Sequence, residues 1–193
     1  MMRGFRTALL VLATTIAMPL LAQEPDSPTR RVFDVERNRG PSFLEEARPR
    51  SESVPREVLL GYAGITGDQM RSVEFPVLLP PELMLAGRTA FYPEQYRYAA
   101  TIEMQGAQLE ILGTREGFVL PRGAPAVGDR VLGASETFRV ETSEAGIDLS
   151  LTAYGAAYSI SILCDDPAGD VRCTDENAVR YIAGTLVELG GTY

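Results

Sequence analysis

The sequence predicts an α+β domain: an antiparallel β-meander sheet packed by a C-terminal amphipathic helix, with a disordered N-terminal arm. Three observations predict it. Between residues 96 and 162, apolar side chains recur at every second position in short runs separated by turn-forming residues, the pattern of strands with one buried face. Beyond residue 174 the spacing changes to three and four, the pattern of a helix with one apolar stripe. Ahead of residue 58 neither period is sustained.

Residues 1–22 read as a secretory signal peptide. Arg3 and Arg6 give a positive start, an apolar stretch follows from Ala8 to Ala17, and Pro19 precedes a small residue, Ala22, at the expected cleavage position. That stretch is shorter than the ~20 residues a membrane span needs, and no later segment approaches this length. The mature chain is therefore expected to carry no transmembrane segment.

Residues 23–57 form the predicted arm. Pro25, Pro28, Pro41, Pro49 and Pro55 interrupt a run of alternating Arg and Asp/Glu with few apolar side chains, a composition that cannot bury enough surface to offset its ordering entropy. The arm reads as a spacer, or as a docking segment through Val32, Phe33 and Val35 or through Phe43 and Leu44.

Residues 58–193 form one domain, long enough for a single core. Its start, Gly61-Tyr-Ala-Gly64-Ile-Thr-Gly67, departs from the dinucleotide pattern G-x-G-x-x-G and reads as a glycine-rich lead-in. Pro76, Pro80 and Pro81 restrict the segment 73–79 to an edge strand at best. Tyr96, Tyr98, Ala100, Ile102 and Met104 share one strand face, which Leu109 and Ile111 resume after the turn-like Gln105-Gly106-Ala107-Gln108. Phe138 and Val140, then Ile147, Leu149 and Leu151, then Tyr158, Ile160 and Ile162 repeat the alternation, with turns at 143–146 and 154–157. In the helix that follows, Thr174 is the expected N-cap, Asp175 and Glu176 compensate the dipole, and Gly190-Gly191 is the stop. Val179, Ile182, Ala183, Leu186 and Val187 make its stripe. Gly184 inside it costs about 1 kcal/mol relative to Ala and reads as close packing on the sheet or as a tolerated weakness.

Composition excludes more chemistry than it supports. All 18 basic residues are arginine, and the chain has neither lysine nor histidine. That removes a histidine base, a Schiff-base lysine, a P-loop lysine and imidazole zinc ligands. The net charge of −8, two units more negative once Arg3 and Arg6 are cleaved, opposes nucleic acid and anionic lipid as partners. The sequence assigns no catalytic residue and implies no cofactor. Carboxylate catalysis survives the exclusions, with Asp68, Glu103, Glu110, Glu116 and Asp148 as conceivable members of a pair.

Cys164 and Cys173 are the only cysteines, and in an exported chain they are expected to form a disulfide worth roughly 2–3 kcal/mol. Between and beside them lies the densest acidic patch. Asp165, Asp166 and Asp170 are candidate metal ligands, calcium above all, but their spacing is not that of an EF-hand and a solvated turn is the favoured account of them. Phe91, Tyr92 and Arg97 are the candidate ligand or partner surface: they sit in the aromatic concentration 91–98, and Phe91 and Tyr92 are the rings left free if Tyr96 and Tyr98 face the core.

The sequence thus points first to a non-enzymatic accessory module, exported to the periplasm or beyond, that binds another envelope protein. A ligand- or calcium-binding module at the acidic loop or Tyr-rich strand comes second, and a carboxylate-dependent hydrolase third.

Overall fold

Strand alternation resolves into a six-stranded antiparallel sheet, and among the described residues the helices pack on one of its faces. The computed structural model describes residues 29–32, 54–119 and 138–192. The signal segment 1–22 lies outside these, as do Phe33, Val35, Phe43 and Leu44.

The order of elements is β1 (Thr29–Val32), α1 (Arg56–Tyr62), α2 (Gly67–Arg71), β2 (Val77–Leu79), α3 (Pro81–Ala86), β3 (Arg88–Glu94), β4 (Arg97–Met104), β5 (Ala107–Thr114) and β6 (Glu116–Val119). After these come β7 (Phe138–Thr142), β8 (Gly146–Ala153), β9 (Ala156–Cys164), α4 (Val171–Thr174), α5 (Glu176–Thr185) and β10 (Val187–Gly190). Two assignments at the arm change. Thr29–Val32 is a strand paired antiparallel to β6, a non-local partner that arm composition cannot reveal. The folded body also starts before Val58: the carbonyl of Pro55 accepts from the amides of Val58 and Leu59, and Val54 packs on the core.

The sheet order is β3-β4-β5-β9-β8-β7. The meander is therefore two three-stranded meanders joined along a seam, where β5 pairs with β9 from Ala107↔Cys164 to Thr114↔Ala157. Tyr154 and Gly155 both adopt positive φ, 54° and 71°, which gives the tight β8–β9 turn the twist its strands need. Inward positions form continuous apolar rows, for example Phe91, Ala100, Ile111, Ile160 and Leu149. Against this inner face pack α3 over β3 and β4, β2 over β5, and α5 over β8 and β9.

One inner row is built around a missing side chain. Gly113 lies between Tyr98 and Tyr158 on the neighbouring strands, and a Cβ there would sit 2.3 Å from the Tyr98 ring. The two rings close over the gap with centroids 6.5 Å apart, and Phe75 stacks on Tyr98 at 5.7 Å. Both hydroxyls reach backbone. Tyr98 Oη donates to the Leu78 carbonyl at 3.0 Å and accepts from the Leu78 amide at 3.1 Å, while Tyr158 Oη donates to the Pro76 carbonyl at 2.8 Å. Buried strand β2 thus has its backbone satisfied by tyrosine on one side and by β10 on the other. Complete burial pushes the Tyr98 phenol well above its ordinary pKa.

Within the segment 73–79, Val77–Leu79 forms an edge strand, one of the two in its sheet, and a helix follows it. Pro81 opens α3 at its first turn, where a missing amide costs nothing. The glycine-rich lead-in spans the end of α1 and the start of α2, where Thr66 and Gln69 form a reciprocal capping box.

The C-terminal helix is shorter than its periodicity suggests. It ends at Thr185, and Leu186 and Val187 leave it: Leu186 is extended and Val187 opens β10 against β2. Apolar residues at 186, 187 and 189 fit a strand as well as a helix, and pairing with buried β2 decides between them. A Cβ at Gly184 meets nothing within 4 Å, so this glycine is a tolerated weakness and not a packing requirement. The cap also moves. Thr174 ends α4, its hydroxyl donating to the Asp170 carbonyl at 3.3 Å, and Asp175 caps α5 by accepting from the Asn177 amide at 2.9 Å. Asp175→Ala is accordingly expected to lower stability by about 1 kcal/mol, and Thr174→Ala by less. Denaturant midpoints of the two variants check this, and the reverse ranking would return the cap to Thr174.

Candidate functional site

Because the helices occupy only the inner face, the outer face of the sheet carries alternate residues that no element covers among the described residues. On β3, β4 and β5 the register aligns Tyr92, Ala99 and Leu112 in one cross-strand row. Tyr92 is 63% and Leu112 48% exposed, the two large apolar side chains of this face with more than a third of their surface exposed among the described residues. They line a half-open groove of about 600 Å³ that Glu116 and Gly117 of β6 bound on the other side.

Arg97 stands at its rim. Its Nε and Nη2 donate to the two carboxylate oxygens of Glu94 at 2.7 and 2.8 Å. That hydrogen bonding, then the charges of Glu94 and Glu116, raise the guanidinium above its ordinary pKa. The groove therefore has an apolar floor and a charged rim.

The three residues expected to form a ligand surface divide. Tyr92 and Arg97 meet at the groove, whereas Phe91, 9% exposed, faces the core with its ring centroid 5.7 Å from Tyr98. The reason is strand parity: Phe91 pairs with inward Ala100 and Tyr92 with outward Ala99. Tyr96 occupies the β3–β4 turn, half-buried, with the Arg115 guanidinium 5.8 Å from its ring centre. Leu112 escaped the sequence reading, yet it carries a signal. It is apolar and out of phase with Leu109 and Ile111, which marks a hydrophobic side chain pointing away from the core.

Cys164 and Cys173 form the expected disulfide, linking the end of β9 to α4. The acidic residues beside it are engaged separately. Asp170 caps α4 and accepts from Arg172 Nε at 2.9 Å, while Asp166 accepts from the Gly169 amide at 3.1 Å. Asp165 donates its amide to the Gly106 carbonyl at 3.0 Å. Among the described residues no group of three or more Cys, Asp or Glu side chains is placed to hold a metal ion. Arg172 reaches on to the Gln105 carbonyl at 2.8 Å, clamping the loop to the β4–β5 turn. Hydrogen bonds from the Arg172 side chain and backbone pull the Asp170 pKa down to about 2.

A depressed carboxylate stabilises the fold at pH values above its ordinary range and loses that contribution as pH falls toward its folded pKa. Wild type is therefore expected to lose stability relative to Asp170→Asn between about pH 4 and about pH 2. Parallel acid-unfolding curves for the two proteins would remove the clamp.

The carboxylates named as conceivable catalysts disperse. Asp68 pairs with Arg71 on α2, and Glu103 with Arg88 at 3.4 Å. Glu116 lies at the groove. Glu110 and Asp148 share a row of the open face, with Ser161 on β9 between them. That puts them two strands, roughly 10 Å, apart on a flat surface.

Among the described residues no helix is long and apolar enough to cross a membrane. In comparisons with known proteins, the chain matches no family model, no curated protein and no solved structure.

Proposed function

We propose that the protein is an exported, non-enzymatic accessory module of the periplasm or extracellular space that binds another envelope protein on the open face of its sheet. The observation that carries this reading is the groove at Tyr92, Ala99 and Leu112. Two large apolar side chains stand exposed over a small-residue floor beside a charged rim, where a folded monomer gains nothing from leaving them. Its half-open breadth suits a polypeptide segment better than a small ligand, which a pocket would bury more completely. The disulfide supports an oxidising compartment. Against the calcium reading, Arg172 already neutralises Asp170; against the hydrolase reading, Glu94 in the groove is held by Arg97.

A photo-reactive amino acid placed at Leu112 of the full chain, in cells, tests this. It is expected to give a discrete protein adduct, whereas the same group at Tyr62, 64% exposed on α1 against 48% for Leu112, gives none. Absence of an adduct at Leu112, or equal labelling at both sites, would overturn the proposal.

A further inference from the structure

Two strand residues from Leu112, on the same outward parity, lies Glu110, and the row through Glu110 continues across β9 to Asp148 on β8. The other acidic residues of this face are neutralised in place: Glu94 by Arg97, Glu103 by Arg88 and Glu141 by Arg139. Among the described residues neither Glu110 nor Asp148 is paired with arginine, and Glu110 accepts a neutral hydrogen bond from Gln108 Nε2 at 2.7 Å. The open face thus presents an apolar row, Tyr92–Ala99–Leu112, flanked about 7 Å along the strands by a row with two uncompensated carboxylates.

We infer, resting on the reading of the groove as a protein-binding site, that its partner presents an extended segment in which an apolar side chain is followed two residues later by arginine or lysine. The geometry sets this spacing. Side chains at i and i+2 of an extended chain share a face and lie about 7 Å apart, which matches the step from Leu112 to Glu110. The apolar side chain packs between Tyr92 and Leu112, and the basic one stands over Glu110 within reach of Asp148. The charge of the whole chain, −8, draws such a segment in and repels an acidic one. The arginines already on the face, each tied to its own carboxylate, offer an acidic segment no free cation.

Three fluorescein-labelled synthetic peptides of identical length test the inference against the full-length mature protein by anisotropy. One carries Leu flanked at i+2 and i−2 by Arg, the second carries Glu in place of Arg, and the third keeps Arg but replaces Leu with Ser. The Arg–Leu peptide is expected to bind, at least about tenfold more tightly than either control, and to weaken as salt rises from about 0.02 to about 0.15 M. Leu112→Arg should remove binding, and Glu110→Gln with Asp148→Asn should weaken it about fivefold. Thermal midpoints confirm that these surface variants remain folded. Glu110→Arg with Asp148→Arg should instead favour the Glu peptide, an inversion that misfolding cannot produce.

Equal binding of the Arg and Glu peptides, or indifference to the Glu110 and Asp148 substitutions, would overturn the inference. If the Arg–Leu peptide fails while the cross-linker at Leu112 still yields its adduct, the basic class falls and the binding face stands; if both fail, both fall. A dimer in sedimentation that Leu112→Arg splits would put a second copy of this chain on the face and overturn the inference as well.

Discussion

Tyr98→Phe is expected to destabilise the protein by about 3 kcal/mol, an unusually large loss for removing one oxygen atom. The hydroxyl is the partner of both the amide and the carbonyl of Leu78, and without it two buried backbone groups lose their bonds together. Each unsatisfied group costs about 1–3 kcal/mol, and the phenylalanine ring keeps the contacts with Phe75 and Phe91, so packing changes little. For a domain of this size the thermal midpoint should fall by roughly 10 °C. Tyr158→Phe is the comparison variant: that hydroxyl donates to the Pro76 carbonyl, and losing this bond should cost about 1 kcal/mol. Equal losses for the two variants would mean that Leu78 finds another partner.

The second large effect is expected from Cys164→Ala with Cys173→Ala. The bridge closes a ring with a sequence separation of nine, and releasing it should cost roughly 2–3 kcal/mol through the entropy of the unfolded chain. Denaturation of the oxidised wild type, the reduced wild type and the double variant checks this: reduction should reproduce most of the loss, and the variant should be insensitive to reductant. A double variant as stable as the oxidised protein would show that Asp170 and Arg172 hold the loop without the bridge.

Strand positions were legible in the sequence wherever one face alone is buried, because alternation is then imposed on every residue. Tyr98, Ala100 and Ile102 on β4 and Ile147, Leu149 and Leu151 on β8 are such cases. Short buried elements were not. All three residues of β2 are buried, so no alternation marks it, and Leu186 and Val187 fit two periods at once. Pairing partners far along the chain decided both, as they did for Thr29–Val32 beside β6. The candidate site was half legible. Tyr92 and Arg97 stood out by residue type, but parity assigned Phe91 to the core, and Ala99 and Glu110 acquire meaning only once the cross-strand register brings them beside Leu112.

The seam between β5 and β9 sets the tempo at which this fold can assemble. Each three-stranded meander joins neighbours through short turns and can zip within microseconds, but the residues that meet across the seam stand about fifty positions apart in the chain. The search that brings the halves together must spend loop-closure entropy before any seam contact repays it, which makes docking of the two preformed halves the slow event. Truncations at the seam, such as Ile111→Val or Ile160→Val, should therefore slow refolding in stopped-flow experiments. Truncations on the outer strands, such as Val140→Ala on β7, should leave refolding nearly unchanged and hasten unfolding instead.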